Sequence, residues 1–128
     1  MGLSDRAVMR LEDRLRYEPE HNLVFANFEG LGIHTKVELD ALSHFLDAWF
    51  AAVGHKVNVI INYDNFSLSA HLADAYYAMV RRNTGRYFLS STRYSTNAFF
   101  RRQLGAGLAG VTDPDRIYRT FEQARDGL

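Results

Sequence analysis

The stretch VNVIINYDNFSLS, residues 57–69, runs from Val, Ile and Tyr into a cluster of small polar side chains: Asp64, Asn65, Ser67 and Ser69. The apolar part reads as a core strand, and ligands of open α/β sheets gather beyond the carboxyl ends of strands. A serine opening the next helix sits where free amides and the helix dipole favour negative charge. It can hold an anion there or carry a phosphate. The same residue types also make an ordinary turn and helix cap, with Asp64 and Asn65 turning the chain and Ser67 or Ser69 capping. Both readings stay open at this level.

A second candidate anion site is Arg93, followed by Ser95 and Thr96 at the predicted start of another helix. A guanidinium beside a helix N-terminus grips phosphate or carboxylate. Between Asp74 and Asp113 there is no carboxylate, while Arg81, Arg82, Arg86, Arg101 and Arg102 join Arg93 in that span. Most of these are predicted to form a solvated or partner-facing surface.

Other chemistries lack their residues. No cysteine is present, which excludes disulfides, thiol nucleophiles and thiolate metal sites. His21, His34, His44, His55 and His71 are scattered, with no pair at HExxH spacing, so no metal site is predicted. No GxSxG, GxxxxGK[ST] or GxGxxG string occurs, and no catalytic residue or cofactor is assigned.

The elements that must position these residues follow from periodicity. RLRY (14–17) and LVFANFEG (23–30) read as a β-hairpin, ended by Gly30 and Gly32. Thr35 and Glu38 form a capping box, and Leu39, Leu42, Leu46, Trp49, Phe50 and Val53 recur at helical spacing up to Gly54. VNVIINY is the central strand. A second helix is predicted from Ser67 or Ser69, with Leu72, Ala75, Tyr76, Met79 and Val80 inward and NTG (83–85) as its end. RYFLSST (86–92) is a third core strand. Ser95 or Thr96 caps a third helix, and GAGLAG (105–110) is a loop. Asp113-Pro114 turns into RIYRTF (116–121), a short strand, and Thr120 with Gln123 caps a last helix. Alternating strands and helices predict a single α/β domain with a mixed sheet, residues 13–128, behind a lead-in over 1–12.

Composition agrees with one domain: 128 residues, 47% hydrophobic, which is ample for one core. The 15 basic and 15 acidic side chains cancel, which argues against nucleic acid as a partner. No signal peptide or membrane-spanning run is recognised, so a cytoplasmic protein is expected, and the aromatics allow a homodimer.

The strings LEDRLRYEPEHNLVFANFEGLGIHT, VNVIINYDNF, ADAYYAMV and TRYSTNAFFRRQLG together resemble the C-terminal segment of long bacterial acyl-CoA:acetate/3-ketoacid CoA-transferases. The resemblance runs from about Leu11 to Leu128. It implies an accessory or interaction domain whose partner is a CoA-transferase core or subunit. The catalytic glutamate of that core has no counterpart here. The order of elements is also similar to the STAS-like fold of anti-sigma-factor antagonists. That similarity implies a phosphoserine just after the central strand, for which Ser67 and Ser69 are the nearest positions. A third expectation is a small-anion-binding or enzymatic domain that uses Asp64, Ser67 and Arg93.

Overall fold

The structure is a computed structural model that describes residues 10–111 and 116–128. The predicted Asp113-Pro114 turn and most of the predicted lead-in lie outside the described residues.

Strands β1 (Leu15–Glu18) and β2 (Leu23–Asn27) form the predicted hairpin, antiparallel with Leu15 opposite Ala26. Pro19–His21 makes the connecting 3-10 turn, and Asn22 closes it in the left-handed region at φ 47°. Helix α1 (Lys36–Val53) starts at the predicted capping box. Glu38 N donates to Thr35 Oγ1 at 3.1 Å, and Thr35 N donates to Glu38 Oε1 at 3.0 Å. Two amides that the first turn leaves without helical partners are satisfied in this way. Gly54, at φ 87°, ends the helix in a conformation that glycine adopts without a Cβ penalty.

The main sheet adds β4 (Val57–Asn62), β6 (Phe88–Tyr94) and β7 (Ile117–Tyr118), in the order β1-β2-β4-β6-β7. β2, β4, β6 and β7 are parallel neighbours. α1, α2 (Ala73–Tyr87) and α3 (Ala98–Gly107) make the crossovers, each stepping the same way across the sheet. Right-handed crossovers in one direction place their helices on one face. The large core accordingly joins Leu42, Leu46 and Phe50 of α1, Tyr76 and Met79 of α2 and Leu104 of α3 to Val24, Ala26, Val59 and Ile61. The opposite face carries only α4 (Phe121–Asp126), seated on Leu23, Ile60 and Tyr94 through Ala124. Thr120 Oγ1 accepts from Gln123 N, the predicted cap.

Five local expectations are corrected. The second helix does not start at Ser67 or Ser69. Ser67–Leu68 is a short strand, β5, paired in parallel with β3 (Gly32–Ile33), and a 3-10 turn at Ala70–Leu72 precedes α2. Ala75 is exposed and Tyr77 is buried instead, on the other flank of the stripe formed by Tyr76, Met79, Val80 and Asn83. α2 also runs through NTG to Tyr87. Asn83 is buried there, and Thr84 Oγ1 donates back to Val80 O at 2.7 Å, so packing overrides the glycine. Asn97, not Ser95 or Thr96, caps α3 by accepting from Phe100 N. Gly105 to Gly107 is helical rather than a loop. A Cβ on Gly107 would stand 2.2 Å from the Tyr77 ring, so this glycine serves close approach of α3 to α2.

Between Val57 and Asn58 the register with β6 shifts. Val57 lies opposite Phe88 and Asn58 opposite Ser90, so Leu89 is an extra residue. This bulge leaves Leu89 62% exposed and reverses which residues of β6 face the helices. Beyond it Ser90, Thr92 and Tyr94 face α4, while Arg93, opposite Ile61, faces the helix layer.

Candidate functional site

The predicted site residues fall into three separate places. The first is the turn after β4. Asn65 adopts φ 55°, the left-handed conformation that asparagine tolerates best after glycine. Asp64 Oδ1 accepts from Thr96 N at 2.6 Å and from Thr96 Oγ1 at 3.0 Å, which ties the end of β4 to the entry of α3. Asp64 N donates to Asn62 Oδ1, and Asn62 Nδ2 donates to Asn27 Oδ1 and Glu29 Oε1. Arg14 anchors the same strand ends through the Asn27 and Glu29 carbonyls. Tyr94 lies under this layer. Burial, followed by the charges of Asp64, Glu29 and Glu122, pushes its hydroxyl up to about 12.

The second place is the β3–β5 pair. Its register sets Gly32 opposite Ser67, which carries His34 alongside Ser69 two residues on. Ser67 Oγ lies 3.0 Å from His34 Nε2, and Ser69 Oγ lies 2.9 Å from His34 Nδ1. Both ring nitrogens are therefore engaged by serine hydroxyls. A neutral imidazole donates from one nitrogen and accepts at the other, so at any moment one serine is the donor to the ring. Gly32 leaves room for this: a Cβ there would stand 2.9 Å from His34 Nε2. Neither serine caps a helix through its side chain. His34 also lies at the mouth of α1, where its backbone N donates to Glu38 Oε1 at 2.8 Å. That bond is the main cause holding the Glu38 carboxyl below its usual range.

The third place is Arg93. It is 0% exposed, and its Nε, Nη1 and Nη2 have no hydrogen-bond partner. On the same face Tyr63 continues β4 past Ile61, and its N donates to Tyr94 O. The Tyr63 and Tyr76 hydroxyls share a 2.7 Å hydrogen bond. Burial raises the pKa of both, and the nearby Arg93 charge opposes it. The guanidinium stands beside the Tyr63 oxygen without meeting hydrogen-bond geometry to it. Ser95 is buried after the strand end and accepts from Asn97 N.

No hydrogen bond joins Asp64, Ser67 and Arg93 among the described residues. Asp64 is held by Thr96, Ser67 by His34, and Arg93 lies inside the core. The other arginines clamp elements together. Arg81 donates to Gly107 O, Arg82 to Ser43 Oγ and Arg101 to Ser95 O, while Arg86 lies 3.5 Å from Asp47. Arg102 is exposed on α3.

Periodicity did not point to His34, Tyr63 or Tyr76 as site residues. His34 acquires its role from a strand pairing that spans 35 positions. The tyrosines had one usable signal: a buried phenol needs a partner, and two core tyrosines satisfy each other.

Among the described residues no group of three or more His, Asp or Glu is placed to hold a metal, and no helix is long and apolar enough to cross a membrane. No family model, curated protein or solved structure matches the chain.

Proposed function

We propose that the domain is a non-catalytic accessory or interaction module that works beside an acyl-CoA/acetate CoA-transferase in the cytoplasm. The observation that carries the non-catalytic part is Asp64. This carboxylate lies where an α/β sheet usually holds its ligand, yet it accepts two bonds from Thr96 and is used to join β4 to α3. The link to a transferase is supported by the sequence strings alone. The partner-facing surface is the outer side of α2 and α3, where Arg81, Arg82, Arg86 and Arg102 are exposed. The test is co-purification of the tagged domain with a transferase core, with transferase activity measured as domain is added. Stable capture or altered turnover supports the proposal; neither effect at saturating domain overturns it. Sedimentation of the same samples distinguishes a homodimer from a mixed complex.

A second reading, a phospho-switch at Ser67 or Ser69, is favoured by one observation. Ser67 is exposed and its hydroxyl rests on an imidazole that can take its proton. Mass spectrometry of protein isolated from its native cell decides it, and unmodified serines under every growth condition would remove it.

A further inference from the structure

Arg93 is a buried cation with no carboxylate bonded to it among the described residues. The bulge at Leu89 turns it inward beside Ile61 and next to Tyr63. All three guanidinium nitrogens lack a partner. The hydrogen bond between Tyr63 and Tyr76 uses one of their two hydroxyl hydrogens, and the other remains a donor. A charged group taken out of water without a counter-charge is strongly disfavoured, and a guanidinium is best satisfied by a bidentate oxyanion. The start of α3, four residues beyond Arg93 at Asn97, adds the positive end of a ten-residue helix. Phe100, in the first turn of that helix, packs 5.7 Å from the rings of both Tyr63 and Phe66.

We infer that Arg93, with the hydroxyls of Tyr63 and Tyr76, is the receptor for one small oxyanion, a carboxylate or phosphate group, admitted beneath the first turn of α3. The guanidinium fork takes two oxygens and the spare tyrosine hydrogen takes a third contact. A cavity of about 20 Å³, lined in part by Tyr63, Tyr76 and Asn83, adjoins the tyrosines. It holds a single water-sized group. This favours a compact anion, or the terminal carboxylate or phosphate of a longer ligand. The inference is separate from the transferase partnership, since the domain can bind an anion with or without a protein partner.

The test uses the whole chain dialysed into a low-anion buffer. Thermal unfolding is followed against sodium formate, sodium phosphate and sodium chloride at matched ionic strength. Formate or phosphate is expected to give a saturable rise in Tm that chloride does not match. Arg93→Met abolishes that rise, and Tyr63→Phe weakens it. If Arg93→Met does not fold, the Nε–H resonance of Arg93 in the unaltered protein decides. Movement of that resonance with formate or phosphate, saturating at the same concentration as Tm, supports the receptor. Equal Tm responses to all three salts, or an unmoved Arg93 resonance, overturn it and leave Arg93 a purely structural cation.

Discussion

Ser67 Oγ and His34 Nε2 stand 3.0 Å apart on a two-stranded sheet that the chain builds from only four residues. The pairing Gly32–Ile33 with Ser67–Leu68 places the two side chains together, and Gly32 keeps the space between them clear. Gly32→Ala inserts a methyl 2.9 Å from His34 Nε2, too close for the ring to stay. Gly32→Ala and Ser67→Ala should therefore perturb the His34 imidazole ¹⁵N signals in the same way, because each removes the same contact. Ser90→Ala, whose hydroxyl bonds Asn58 at a distance from this sheet, should leave them unmoved. A Gly32→Ala spectrum matching the unaltered protein would count against the geometry.

The capping box of α1 couples stability to acid. Glu38 accepts from the backbone of His34 and Thr35, which lowers its pKa in the folded chain. A depressed carboxyl contributes stability at neutral pH, and loses it as the pH falls through the lowered value, below the ordinary carboxylate range. Glu38→Gln should flatten that part of the stability profile. Thr35→Ala should cost about 1 kcal/mol at pH 7, the usual cost of removing a side-chain cap. Urea unfolding at several pH values measures both.

Two glycines in helices should respond to alanine with opposite signs. Gly85 lies inside α2 with nothing within 4 Å of an added Cβ and ordinary helical backbone. Gly85→Ala should stabilise by about 0.5–1 kcal/mol, the propensity difference of an open helix site. Gly107 has the same propensity argument, but its Cβ would meet Tyr77 Cε2 at 2.2 Å. Overpacking typically costs about 1–3 kcal/mol and outweighs the propensity gain, so Gly107→Ala should destabilise. Tm values for the pair test this directly; a stabilising Gly107→Ala would mean that α3 does not lie on Tyr77 as described.

These glycines also mark where the sequence is readable and where it is not. α1 was legible from end to end, since Thr35, Glu38 and Gly54 are local signals and its buried stripe is periodic. The hairpin and the cap of α4 were legible for the same reason. Gly85 reads as a helix stop and Gly107 as part of a loop because glycine is a local breaker signal, whereas the buried Asn83 holds α2 past Gly85 and close approach to Tyr77 selects Gly107. Arg93 reads as a helix-entry arginine because the predicted strand stops at Thr92, whereas β6 runs on to Tyr94, where plain alternation from Phe88 would point Arg93 away from the helices. One extra residue, Leu89, reverses that face, and no local pattern announces a bulge. His34 was passed over as a lone histidine because its partners arrive through β5, a strand of two residues.

Alkaline stability is set by the buried phenols. Tyr94 is raised to about 12, by burial first and then by Asp64, Glu29 and Glu122. Burial also raises Tyr63, Tyr76 and Tyr77. A group whose pKa is raised on folding contributes stability that is full below its unfolded value, about 10 for tyrosine. That contribution is lost as the pH climbs toward the folded value. The chain should therefore hold its fold at pH 9 and lose stability steadily between pH 10 and 12, with the absorbance of these four buried tyrosinates appearing together with unfolding rather than before it. Asp64→Asn removes one of the charges acting on Tyr94 and weakens the acceptor for Thr96. It should shift the Tyr94 ionisation down while lowering stability at pH 7 by about 1.5–3 kcal/mol, the usual range for a hydrogen bond to a charged group. Spectrophotometric titration beside urea unfolding separates the two effects. A Tyr94 that ionises unchanged in Asp64→Asn would show that the Asp64 charge does not act on it.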